Sequence, residues 1–397
     1  MRIATSHTAR QAFEAIGRRQ EEQARLQDQI SSGLRVRSPG DDPVAAAQAE
    51  RARSRLAQIG QERRATDLAA SILATADGAL AQGVSILQDA RAWLVAAGNG
   101  AYSAADRGSL AQQLAAAREQ LLQVANADDG AGGYIFAGQG STDAPFTSGG
   151  MPTYAATAGE QRVGTGRHAT TLDGRATFMA IAQGNGVFVT ASAAANTGAG
   201  WIDAGAVSDA TALTGHSYRV TIAGTAAAPL YTVDDLTAGT TVAANLPFAA
   251  GSALEFGGQR IVISGAPAVG DSFDVAPAGR QSVFATLDDA IALLDDPGAT
   301  NAQYAERLAR VQAGLDRSLD AMVFSRTRAG EGLRQVDIAA ARGEEAALST
   351  ESRRSDLQDM DIARGVSALQ SSQTTLEAAL RSYAGRSRAS LFDFIGS

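Results

Sequence analysis

The sequence predicts an α+β, multi-domain protein: a long α-helical coiled-coil rod formed by the N- and C-terminal segments, with an inserted all-β domain. Three observations predict it. Residues 1 to about 130 and about 281 to 385 read as helices, whereas about 146 to 280 are rich in Gly, Thr, Ala and Val and carry strand patterns. Leucines recur at seven-residue spacing in the helical parts, with small residues at the alternate seam positions. Aromatic residues make up only 5% of the 397, and alanine supplies much of the 45% that is hydrophobic, which suits rods packed along a narrow seam and argues against a large compact core. The expected organisation is an N-terminal inner-core helix (1–40), a helical rod in two parts (41–145 and 281–360), the β domain (146–280), and a C-terminal inner-core helix with its tail (361–397).

The first helix covers roughly residues 6 to 32 and stops at Gly33 and the turn-forming run Ser38-Pro39-Gly40-Asp41-Asp42-Pro43. Asp42 restarts the helix, because an Asp N-cap accepts free amide hydrogens and Pro43 lacks only a donor that would have been orphaned. This second helix extends to about Ala97. Its second half carries Leu73, Leu80, Leu87 and Leu94, alternating with Ala69, Ala76, Gly83 and Ala90. Large and small residues in register predict an intermolecular coiled-coil seam, with an ordinary bundle core as the competing reading. A capping box at Ser103-Ala104-Ala105-Asp106 opens a third helix that folds back on the second.

In the middle region Tyr218, Val220 and Ile222 alternate with Arg219 and Thr221, as a half-buried strand requires. Leu254-Glu255-Phe256 and Gln259-Arg260-Ile261 flank Gly257-Gly258, a two-residue hairpin turn. Val187-Phe188-Val189 and Phe273-Asp274-Val275 add short strands. A short helix through Phe284, Leu287, Ile291 and Leu294 then ends at Pro297-Gly298, and Asn301 is expected to cap the next, which carries Tyr304, Leu308, Val311, Leu315 and Met322. In the last helix Ile362, Leu369, Leu376 and Tyr383 are seven apart, as are Val366, Gln373 and Leu380. Gly385 is expected to close it, leaving a tail whose Leu391, Phe392 and Phe394 need a partner surface.

Reactive chemistry is sparse. No cysteine occurs, which excludes disulfides and thiolate sites. The net charge is −8 and all 34 basic residues are arginine, interleaved with Asp and Glu, so no basic face for nucleic acid emerges. His7, His168 and His216 fall in different regions and read as surface residues. Gly164-Thr165-Gly166 and Gly130-Ala131-Gly132-Gly133 lack the lysine and the strand-turn-helix context of phosphate loops and read as turns. Asp128-Asp129-Gly130 lacks the spaced oxygens of a calcium loop, and Arg51-Ala52-Arg53 reads as a solvated helix face. No cofactor, metal or catalytic residue is called for. With no apolar h-region at the N-terminus and no run of ~18 apolar residues, the expectation is a soluble chain that associates with no membrane and, if exported, carries no cleaved signal.

Particular stretches resemble the bacterial flagellin superfamily. They are Ile30-Ser31-Ser32-Gly33-Leu34-Arg35-Val36, continuing through Asp41-Asp42-Pro43-Val44-Ala45-Ala46, and Gly78-Ala79-Leu80. Within that superfamily, Gly133-Tyr134-Ile135-Phe136-Ala137-Gly138 with Pro145-Phe146 resembles the flagellar hook-associated protein 3 family. So do Arg326-Thr327-Arg328-Ala329-Gly330 and the run from Asp359-Met360-Asp361-Ile362-Ala363 to Ser390-Leu391-Phe392-Asp393-Phe394.

The resemblance implies a structural subunit secreted by flagellar type III export, located at the hook-filament junction and serving motility. It implies as partners flagellin, the other hook-associated junction protein, further copies forming a ring, and an export chaperone. The assembly interface expected on the terminal helices comprises Phe13, Ile16, Leu26, Ile30, Ile362, Leu369, Leu376, Leu380, Leu391, Phe392 and Phe394. The rival readings are a filament flagellin and a secreted β-domain adhesin or carbohydrate-binding module on a coiled-coil stalk. The latter calls for an aromatic cluster, yet Trp201 is the only tryptophan of the β region.

Overall fold

The computed structural model describes the backbone of residues 2–130, 132–138, 143–147, 161–163, 166–168, 172–296 and 300–395; the side chains of 2–6, 8, 9, 161–163, 166–168 and 386–395 are outside the description. Two compact units form: Met1–Thr66 with Ala339–Ser397, and Asp67–Ile338. Helices α2 (Pro43–Ala97) and α5 (Asn301–Gln358) contribute to both.

In the first unit, α1 (Arg2–Ser32) ends at Gly33, whose φ of +70° is the left-handed conformation of a helix C-terminus. Asp42 caps α2 as the sequence predicts, its Oδ1 accepting from the Val44 and Ala45 amides at 3.1 and 3.0 Å. The α1–α2 turn is tied to the start of α6 (Ile362–Ile395) and the end of α5. Arg35 and Val36 amides donate to the Gln358 carbonyl at 2.8 and 3.3 Å, and the Met360 amide donates to Gly33 O at 2.8 Å. The segments joining the four helices thus hold one another by backbone bonds.

α6 does not stop at Gly385. It continues to Ile395, so the expected free tail is the last part of a helix. Nothing lies near where a Cβ at Gly385 would project, and an exposed glycine within a helix costs only about 1 kcal/mol, too little to end one without a following proline. A second correction concerns α5. Its cap is Thr300 and not Asn301: the Gln303 amide donates to Thr300 Oγ1 and the Thr300 amide donates to Gln303 Oε1, a reciprocal capping box.

The second unit is built on a helical bundle. α3 (Ala104–Ala125) starts at the predicted capping box, where the Asp106 amide donates to Ser103 Oγ and the Ser103 amide donates to Asp106 Oδ2. It folds back on α2, with α4 (Val283–Leu294) and α5 closing the bundle. Leu73, Leu80, Leu87 and Leu94 are only 0–1% exposed, so this heptad seam is the core of the chain's own bundle and leaves no leucine face for another molecule. The small seam residues permit the approach: a Cβ at Gly83 would lie 3.0 Å from Met322 Sδ of α5 and 3.5 Å from Leu121 Cδ1 of α3. α2 is long and apolar enough by composition to cross a membrane, and these leucines face protein.

The expectation of no large core also fails. The bundle core gathers the few aromatic residues in one place: Phe178 lies 5.1 Å from Phe136, 5.4 Å from Phe146 and 6.2 Å from Phe284, ring centre to ring centre. Phe178 is delivered by a π-helical turn (Arg175–Met179), and Phe146 is fixed by Asn126, which donates to its carbonyl at 2.7 Å and accepts from its amide at 3.0 Å.

The described strands are β1 (Gln161–Val163), β2 (Gly166–His168), β3 (Ile181–Ala182), β4 (Phe188–Ser192), β5 (Ala199–Ile202), β6 (Ala206–Val207), β7 (Tyr218–Thr225), β8 (Ala228–Asp235), β9 (Thr240–Pro247), β10 (Ala253–Phe256), β11 (Gln259–Ala266), β12 (Ser272–Pro277) and β13 (Arg280–Gln281). β1 pairs with β2, and β3 with β13. The antiparallel order β4-β12-β7-β8-β9 makes one sheet; β10-β11-β5, with β6 also on β11, makes the other. Tyr218, Val220 and Ile222 point into the shared core and Arg219 outward, as alternation predicts. Gly257 and Gly258 form the predicted hairpin turn at φ +53° and +77°. Buried Glu306 of α5 closes the β4 edge, accepting from the Ser192 amide at 3.0 Å, from the Ser192 hydroxyl, and from Arg310 at 2.5 Å.

Candidate assembly surface

In the first unit α6 lies along α1. Gly365, Leu369, Ser372, Leu376, Ala379 and Tyr383 are buried or half-buried and recur at intervals of four and three, the repeat of one helix face. Contacts at both ends of that face fix its partner. A Cβ at Gly365 would lie 3.3 Å from Ile30 Cγ1 of α1 and would clash with Met360 Cε, so glycine sets the close approach. Eighteen positions on, the Tyr383 ring lies 4.9 Å from that of Phe13.

The expected interface residues divide accordingly. Ile16 is buried, and Leu26, Ile30, Leu369 and Leu376 are half-buried between the helices. Ile362 (48% exposed) and Leu380 (43%) face solvent, joined by Val366, and Phe13 is 59% exposed although one side of its ring meets Tyr383. Leu391, Phe392 and Phe394 belong to α6, and their side chains lie outside the described residues. The sequence reading missed Val44 on α2 and Leu348 on α5, which are also exposed in this unit. Leu348 follows Glu344 and Glu345 and precedes Glu351; a leucine stranded among carboxylates was the available signal.

Several charges around this surface are paired within the unit. Arg19 meets Glu22 at 3.1 Å, Arg354 meets Glu351 at 2.8 Å, and Arg37 pairs with Asp28. The Ser38 and Arg37 amides hold the Asp41 carboxyl below the usual carboxylate range, and Arg354 does the same for Glu351. Beside these pairs the unit offers a neighbour apolar area on two paired helices.

The three histidines lie apart along the chain. His7 belongs to α1 and His168 to β2; His216 Nδ1 lies 2.7 Å from Asp235 Oδ2, tying the start of β7 to the β8–β9 turn. Burial pushes the Asp235 carboxyl up, but hydrogen bonds from the Ala238 amide, His216 and the Thr237 amide outweigh it and leave it below the usual range. Among the described residues no three His, Asp or Glu side chains converge as a metal site.

Comparison with known proteins adds the following. The profile described as the bacterial flagellin N-terminal helical region matches residues 3–141, and that of the flagellar hook-associated protein 1 D2-like domain matches residues 191–277. Flagellar hook-associated protein 3 of Salmonella typhimurium is 40% identical over 146 residues, 37% of this chain; the match spans about half, 46%, of that relative's length. The crystal structure of FlgL from Xanthomonas campestris is 31% identical with a TM-score of 0.65, covering 71% of this chain and 94% of the other. That of flagellar hook-associated protein 3 from Legionella pneumophila is 27% identical with a TM-score of 0.71, covering 78% and 98%.

Proposed function

The chain belongs to the flagellar hook-associated protein 3 family, and on that premise we propose that it is a structural, non-enzymatic subunit joining the flagellar hook to the flagellin filament. The observation that carries this reading is the division within the first unit. α1 and α6 pair through a narrow inner stripe, and a second set of large apolar residues, Ile362, Val366 and Leu380, remains in solvent, with Phe13 still 59% exposed beside Tyr383. Apolar residues gathered on one helix face in this way suit a surface that neighbouring subunits cover.

On this reading the protein is exported through the type III apparatus with a dedicated chaperone and assembles with copies of itself into a ring. Flagellin lies on one side and the other hook-associated junction protein on the other. Residues 1–40 and 361–397 form the inner core, 41–145 and 281–360 the helical layer outside it, and 146–280 the inserted β domain. The interface comprises Phe13, Ile362, Val366 and Leu380 with Leu391, Phe392 and Phe394 from the end of α6, while Ile16, Leu26, Ile30, Leu369 and Leu376 pair the two helices beneath it. The names of two solved relatives that cover 71% and 78% of this chain, FlgL and hook-associated protein 3, favour the junction over the filament itself.

Immunogold labelling of isolated flagella tests this. The expected result is one discrete band where hook meets filament; gold distributed along the filament would make the protein a filament flagellin.

A further inference from the structure

Beneath β4, the face of α5 carrying Arg307, Arg310, Gly314 and Arg317 opens on a cavity of about 520 Å³. These positions are three, four and three apart and so share one side of the helix. A second cavity, of about 320 Å³ and walled by Trp201 and Ile202, lies beside the first; Arg310 and Arg317 line both. The larger is within the ~300–1,000 Å³ of small-molecule sites.

The three guanidinium groups are not equivalent. Arg307 meets Asp296 at 2.7 Å and Arg310 meets Glu306 at 2.5 Å. Arg317 makes no ion pair among the described residues, and its Nε is shut off from solvent with no hydrogen-bond partner. A buried N–H without an acceptor is costly, and native structures rarely leave one unexplained. Burial pushes the Arg317 pKa down, although Asp316 and Asp320 oppose the shift. The Asp289 carboxyl on the same cavity wall does little to compensate: burial and then Asp288 push its pKa up, against the pull of Arg310.

We propose that this cavity binds a small anion through a phosphate or carboxylate group, held by the Arg317 guanidinium with Arg310 beside it. A guanidinium presents a planar fork of donors that matches both groups in bidentate fashion. Because the cavity lies between β4 and α5, the bound anion would also brace the β domain on the bundle.

The test uses the full ¹⁵N-labelled chain, following arginine Nε–Hε signals by NMR while sodium phosphate, and separately sodium malonate, is titrated at ionic strength held constant with sodium chloride. One such signal, identified by its loss in Arg317→Gln, should move saturably with at least one probe. Preference for phosphate or malonate then separates tetrahedral from planar anions. Binding should weaken roughly tenfold or more in Arg317→Gln, the range of a charge-assisted hydrogen bond, and be unchanged in Arg334→Gln, on an exposed turn elsewhere on α5. Should Arg317→Gln not fold, Arg317→Lys keeps the charge without the fork and should still bind several-fold more weakly. No saturable movement with either probe, or undiminished affinity in the folded Arg317 variants, would overturn the proposal.

Discussion

The chain uses the same seven-residue rhythm twice, with opposite results. In α2, Leu73, Leu80, Leu87 and Leu94 vanish into a bundle; in α6, Ile362, Leu369 and Leu376 stay partly wet. The difference is the number of covering elements. α3, α4 and α5 surround the α2 stripe, with a plug of four phenylalanines at one end, whereas α6 has α1 as its chief partner. A heptad stripe therefore specifies that a helix will be covered, while the rest of the sequence decides whether the cover comes from the same chain. The α2 seam is completed by its own chain and the α6 face is not.

Breaking the complete region should have the largest effect. Leu80→Ala removes a fully buried side chain from the bundle and should destabilise the second unit by about 2–5 kcal/mol, read from denaturant midpoints. Gly83→Val adds carbon atoms against Met322 and Leu121 and should cost about 1–3 kcal/mol by overpacking. Ser103→Ala deletes the α3 capping box at about 1 kcal/mol. That loss should depend on pH: hydrogen bonds from the Ser103 side chain and amide hold the Asp106 carboxyl below its ordinary value. A carboxyl lowered on folding contributes stability present above the unfolded pKa and lost as pH falls through the folded one, so the gap between wild type and Ser103→Ala should narrow as pH falls below about 4 without closing, because the bond from the Asp106 amide to Ser103 Oγ does not titrate. Leu376→Ala, half-exposed in α6, should cost the isolated chain only about 1 kcal/mol. If it cost as much as Leu80→Ala, the contrast between the two regions would be wrong.

The helices, their caps at Asp42 and Ser103, and the Gly257-Gly258 hairpin were legible because each is fixed by neighbours in sequence. What was not legible depends on distant partners. Periodicity could not say that Leu73 to Leu94 face the chain's own α3, α4 and α5, nor could composition foresee that four scattered phenylalanines, Phe136, Phe146, Phe178 and Phe284, meet at one point. Gly385 misled because glycine marks a helix end only where the backbone turns left-handed, as Gly33 does at φ +70°. In the candidate surface the sequence named both helices but mixed their two faces: Leu369 and Leu376 turn inward, and Ile362 and Leu380 outward.

The most direct test of the central claim, that the first unit is completed by neighbouring subunits, is the Ile362→Asp/Leu380→Asp double variant examined in cells, since these side chains face away from α1. Each substitution places a carboxylate where assembled helices must exclude water, a cost that exceeds the transfer energy of the apolar side chain it replaces. Secretion is checked first, since a chaperone engaging this same end would confound the result. The account predicts a secreted, soluble protein with near-wild-type helix content, hooks without filaments, and flagellin shed into the medium. A variant that is secreted and still supports full-length filaments and motility would contradict it.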